Sequence, residues 1–136
     1  MNGDLTLDHG GVSGADLDVS RRFYTDVLGF EQEEEFRIPN TPIRGAVLIN
    51  ANGSRVELFC REGSEPSEVG HPTDSTKRQG WFQLAFRVHD LDALFTRFVA
   101  GGATPVKPPF TAPDGTSSVA FIGDPDGNLI ELIERS

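Results

Sequence analysis

Gly53-Ser54-Arg55-Val56-Glu57-Leu58-Phe59-Cys60-Arg61 and Gly127-Asn128-Leu129-Ile130-Glu131-Leu132-Ile133-Glu134-Arg135 stand 74 residues apart and share Gly, Glu, Leu and Arg at the same places. The same offset relates Asp16-Leu17-Asp18 to Asp90-Leu91-Asp92, and Phe36, Pro39 and Ala46 to Phe110, Pro113 and Ala120. These are ten identities without a gap among the 62 pairs available at this offset. Chance gives about four at usual residue frequencies. The chain therefore reads as a duplication, and the elements of its two halves should coincide.

They do coincide. In the first half, Thr6 to Val12 reads as a strand, followed by a helix that Asp16 or Asp18 can cap. Val19, Phe23, Tyr24, Val27 and Leu28 fall at helical spacing, and Gly29 suits the position just past the helix. Extended segments follow at about 30–38, 43–49 and 54–60, separated by Pro39-Asn40-Thr41-Pro42 and by the hairpin signal Asn52-Gly53. The second half repeats the order. Trp81 to Val88 is a strand, and Asp90 caps a helix whose apolar face is Leu91, Leu94, Phe95, Phe98 and Val99. Gly101-Gly102 ends it, and extended segments follow near 104–112, 116–123 and 128–134. The reading is α+β: a βαβββ module over 1–62, a polar linker over 63–79 and a second βαβββ module over 80–136. Neither module can bury much core alone, so the two should pack together or exchange with another chain, and a homodimer is expected.

Bulk properties narrow the classes. The net charge of −9 repels a phosphate backbone, which argues against nucleic-acid binding. No apolar run reaches the length of a membrane span, and the N-terminus lacks the pattern of a secretory signal. The single cysteine, Cys60, excludes an internal disulfide framework and is compatible with a cytoplasmic setting, where it reads as a small buried hydrophobe.

Asp16-Leu17-Asp18, Phe23-Tyr24-Thr25-Asp26-Val27-Leu28-Gly29-Phe30 and Asp124-Pro125-Asp126-Gly127-Asn128-Leu129-Ile130-Glu131-Leu132 together resemble the vicinal oxygen chelate superfamily. Its members include glyoxalases, methylmalonyl-CoA epimerases, fosfomycin-modifying enzymes, bleomycin-resistance proteins and extradiol dioxygenases. The resemblance implies a glyoxalase-like fold in which two βαβββ modules form a curved mixed sheet around a cleft. It further implies a metal site with ligands from the first and last strand of each module: His9, Glu57, Gln83 and Glu131. The repeat relates the same four residues in pairs, His9 to Gln83 and Glu57 to Glu131.

One imidazole, one amide oxygen and two carboxylates suit an octahedral divalent ion with two positions open for water or substrate. Zn, Ni, Mn, Co and Fe are candidates. Two glutamates would neutralise the ion and leave it able to stabilise an enolate oxygen. The resemblance makes Glu131, or else Glu57, the group that moves a proton next to a carbonyl. Trp81 and Phe59 are candidates for the apolar lining of the substrate pocket. The expected function is that of a metal-dependent lyase or isomerase of glyoxalase type, acting on a small substrate with vicinal oxygens. Glutathione-dependent members carry Arg four residues after the first ligand and Asn four after the second. Ser13 and Arg61 occupy those places, which speaks against glutathione. The alternative is a metal-free small-molecule-binding protein of bleomycin-resistance type. His71 in the linker and His89 before a helix are expected to be solvated.

Overall fold

The computed structural model describes residues 3–67 and 71–136. The chain divides into two compact units, Met1–Ser64 and Glu65–Ser136. The first contains β1 (Gly10–Gly14), α1 (Leu17–Arg22), β2 (Glu31–Ile38), β3 (Ile43–Ile49) and β4 (Arg55–Arg61). The second contains α2 (Pro72–Ser75), β5 (Gln83–Arg87), α3 (Leu91–Gly101), β6 (Thr104–Thr111), β7 (Ser118–Gly123) and β8 (Leu129–Glu134). Each unit is thus α+β and βαβββ. Its sheet has four strands, in the order β1-β4-β3-β2 in one unit and β5-β8-β7-β6 in the other. The sheets are mixed, because β1 runs parallel to β4 and β5 parallel to β8, while the remaining neighbours are antiparallel.

In the first unit, alternation along β3 and β4 sends Ala46, Leu48, Val56, Leu58 and Cys60 to one buried face. Helix α1 packs on that face. Asp16 caps it as the sequence indicates, its carboxylate accepting from the backbone N–H groups of Asp18 and Val19 at 2.9 and 3.1 Å. The helix then widens into a π-turn over Phe23–Val27, which Gly29 closes at φ +82°. Its buried residues are Leu17, Ser20, Phe23 and Tyr24. Val19, expected on the apolar face, is 40% exposed: the face toward the sheet runs through Leu17 and Ser20 instead.

In the second unit α3 packs on β6, β7 and β8 and buries Leu91 and Phe98. Leu94, Phe95 and Val99 are half-buried, as the helical spacing requires. Asp90 starts the helix but its side chain makes no cap. Its φ is +55°, and its backbone N–H donates to the Glu134 carboxylate at 2.5 Å. The polar segment between the modules contains a helical turn, α2, that the sequence did not signal. His71 caps it by accepting from Thr73 N at 3.3 Å. Among the described residues no helix is long and apolar enough to cross a membrane.

Both first strands begin later than the sequence implies. Pairing in β1 starts where Gly10 meets Val56, and in β5 where Gln83 meets Leu129. Thr6 to His9 therefore lie outside the ladder, and so do Trp81 and Phe82.

Candidate metal-ligating pairs

The two parallel pairings share one register. Gly11 stands opposite Glu57, and Ala85, its counterpart 74 residues on, stands opposite Glu131. In each unit the residue two positions before that one meets the glutamate, as the last residue ahead of β1 or the first residue of β5. In the first unit that residue is His9, with Nε2 2.6 Å from Glu57 Oε2. In the second it is Gln83, whose Nε2 donates to Glu131 Oε2 at 2.5 Å. So the fold joins the four sequence-marked residues into two pairs, one in each unit.

The faces carrying these glutamates differ from the helix-covered ones. Arg55, Glu57 and Phe59 are half-buried, whereas Val56, Leu58 and Cys60 are buried. Phe59 meets Phe36 edge to face at 5.4 Å between ring centres. Gly45 makes that contact possible, since a Cβ there would lie 2.2 Å from the Phe36 ring and 2.5 Å from the Leu58 carbonyl oxygen. In the second unit Glu131 shares its face with an apolar cluster of Val119, Phe121 and Leu129, against which Val106, Phe110, Ala112 and Ile133 pack. A carboxylate in such surroundings needs a partner. Trp81, by contrast, is fully exposed ahead of β5.

The His9 ring faces a carboxylate at each nitrogen, because Nδ1 lies 2.7 Å from Asp8 Oδ2. The hydrogen bond to Asp8 holds the ring's pKa above its ordinary value. The charges of Glu57 and Asp8 add to this, and partial desolvation opposes it. The same hydrogen bond keeps Asp8 below the usual carboxylate range. Sequence reasoning passed over Asp8. The signal was present: a ligating histidine almost always donates its second ring N–H to a carboxylate or carbonyl, and an acidic residue adjoins this one.

The second pair has a different incompleteness. Gln83 gives its NH₂ to Glu131, and its buried carbonyl oxygen has no hydrogen-bond partner. An orphaned buried acceptor costs on the order of 1–3 kcal/mol. A divalent ion beside Glu131 would offset that cost by accepting the oxygen as a ligand, once the amide turned over. Imidazole nitrogen, amide oxygen and two carboxylates are a donor set that fits such an ion. Among the described residues, no three His, Cys, Asp or Glu side chains are gathered closely enough to hold a metal by themselves. Each pair would need further ligands.

A sequence profile of the Glyoxalase/Bleomycin resistance protein/Dioxygenase superfamily matches residues 6–132. The chain belongs to this superfamily. Among relatives of the glyoxalase superfamily it is 28% identical over 135 residues to a probable lactoylglutathione lyase of Synechocystis sp., covering 97% of each chain. It resembles a glyoxylase/bleomycin resistance protein/dioxygenase domain from Frankia sp. with a TM-score of 0.80 and 23% identity, covering 98% of this chain and 100% of that one. Glyoxalase I from Zea mays matches with a TM-score of 0.76 and 24% identity over 95% of this chain, which spans 44% of that longer protein. At these identities the solved structures speak for the fold alone. The glyoxalase superfamily hosts several chemistries on that fold, so the reaction must be argued from the residues.

Proposed function

We propose that this protein is a divalent-metal-dependent lyase or isomerase of glyoxalase type, acting on a small carbonyl substrate with vicinal oxygens. The observation that carries the reading is the matched register of the two modules. It sets an imidazole or amide beside a glutamate in each, His9 with Glu57 and Gln83 with Glu131. The relative from Synechocystis sp., named a probable lactoylglutathione lyase, supports the same class.

In this reading His9, Glu57, Gln83 and Glu131 are the residues that serve as ligands of the divalent ion. When bound, the ion supplies positive charge that lowers the energy of an enolate oxygen. Glu131 takes the proton from the hydroxyl-bearing carbon next to the carbonyl and returns it to the carbonyl carbon, while the hydroxyl proton passes to the former carbonyl oxygen, so that charge and atoms balance. Val119, Phe121 and Leu129 lay an apolar surface beside the carboxylate, against which the carbon skeleton of a small substrate can rest. Phe59 and the exposed Trp81 offer apolar surface to the substrate. Ser13 and Arg61 stand where glutathione-dependent enzymes have Arg and Asn, so the substrate is a free hydroxycarbonyl or acyl compound rather than a glutathione conjugate.

The test is to purify the protein untagged, measure bound metal, and follow exchange of the α-proton with deuterated solvent by NMR. Metal near one ion per pair of modules, with exchange restored by Mn, Co, Ni or Zn after chelation, supports the proposal. The opposite result is a protein that takes up none of these ions. The Gln83–Glu131 bond favours that second reading, because it already satisfies one oxygen of the carboxylate. It would then be a metal-free binding protein, and ligand affinity would survive Glu131→Gln.

A further inference from the structure

We propose that Asp8 is a positioning residue, holding the His9 ring through Nδ1 so that Nε2 is the nitrogen turned to Glu57, where a divalent ion would take the place of its proton. The second half of this statement rests on the function proposed above; the first does not. Neighbouring residues on a regular strand point to opposite faces, so Asp8 and His9 could not meet inside a ladder. They meet here because both precede Gly10, where pairing begins. Freed from alternation, Asp8 reaches Nδ1 at 2.7 Å.

Asp8 has support of its own. Arg55, which shares a face of β4 with Glu57, is gripped in a fork by Glu33 at 2.8 and 2.9 Å. Glu33 sits at a bulge in β2, between Gln32 and Glu34, which re-aims it along the sheet. The guanidinium so held attracts the Asp8 carboxylate electrostatically. The second module lacks every part of this arrangement. Its counterparts of Asp8, Glu33 and Arg55 are Phe82, Lys107 and Leu129. The difference follows the ligand, since an imidazole has two nitrogens between which a choice must be made. The amide of Gln83 has no tautomer to set. The accessory carboxylate occurs only where there is a ring to orient.

The experiment compares wild type, Asp8→Ala and Asp8→Asn by calorimetric titration with Zn²⁺ and by ¹⁵N-edited NMR of the His9 ring without metal. The Asp8 side chain is 77% exposed, so neither variant should disturb folding, and thermal melts check this. Asp8→Ala should bind Zn²⁺ about 10- to 100-fold more weakly and lose the exchange-protected Nδ1–H signal. Asp8→Asn should recover part of both, since its amide oxygen still accepts from Nδ1–H. Wild-type Zn²⁺ affinity in Asp8→Ala, or an unchanged Nδ1–H signal, would overturn the proposal. If wild type itself takes up no Zn²⁺, the metal reading falls, and the ring spectrum alone still decides whether Asp8 holds His9.

Discussion

At the scale of single residues, small changes separate chemistry from packing. Glu131→Gln keeps the volume and the hydrogen-bonding shape of the side chain but removes the base. Proton exchange at the substrate carbon should fall by roughly 10²- to 10⁴-fold with little change in melting temperature. Solvent-exchange NMR and a thermal melt read the two arms separately. Gly45→Ala should do the reverse and weaken the fold. The added methyl would meet the Phe36 ring at 2.2 Å and the Leu58 carbonyl oxygen at 2.5 Å. The ring can move only by giving up its contact with Phe59. Overpacking of this kind costs about 1–3 kcal/mol, to be measured by urea unfolding. A variant as stable as wild type would show that the Phe36 ring has space elsewhere. Of the residues near the first pair, His9 and Glu57 were legible from the repeat. Asp8 was legible only through its adjacency to His9, because strand periodicity assigns it to the wrong face until one knows where the strand begins.

At the scale of elements, the duplication extends into turn geometry that identity counts miss. Asn50 and Asp124 differ, yet each accepts from the residues two and four positions on: Asn52 and Ser54 in one turn, Asp126 and Asn128 in the other. In both turns a glycine follows in the left-handed region, Gly53 at φ +82° and Gly127 at φ +80°. The side-chain acceptor shapes the loop and the glycine closes it. The hairpin between β6 and β7 uses the same device with a titration attached to it. Asp114 accepts from Thr116 N at 2.9 Å and Ser117 N at 2.8 Å. These bonds lower its pKa from 3.8 to about 2. A carboxylate depressed in the folded state adds stability above its unfolded pKa and loses it as pH falls through the folded value. Asp114→Ala should therefore lower the melting temperature at pH 7 and make progressively less difference between pH 4 and pH 2. An equal penalty at both ends would show that the bonds do not depend on ionisation.

At the scale of the molecule, the proposed metal binding has a thermodynamic signature. A ligand that binds only the folded state raises stability by about 2.7 kcal/mol at a hundred times its dissociation constant. Added Ni²⁺ or Zn²⁺ should raise the melting temperature of the wild type. His9→Ala in one module, or Gln83→Ala in the other, should each remove most of that shift; a shift lost with one and kept with the other would assign the ion to a single pair. Fold and family were open to reading because they rest on local and repeated signals. Gly29, Asp16, the apolar face of α3 and the ten identities at offset 74 each act within a few residues of chain or recur by duplication. Gln83 and Glu131 lie 48 residues apart, and only the parallel pairing of β5 with β8 brings the amide to the carboxylate. The same holds for Asp90, whose helix start is completed by Glu134 from the far end of the module. By itself the sequence determined the duplicated βαβββ plan and the four polar residues at equivalent places. Only the tertiary structure decided where β1 and β5 begin, which nitrogen of His9 is held by Asp8, and that the side-chain oxygen of Gln83 is left without a partner. Periodicity sets the side of a strand a residue occupies, whereas strand ends and side-chain partners depend on register with chain that is distant in sequence.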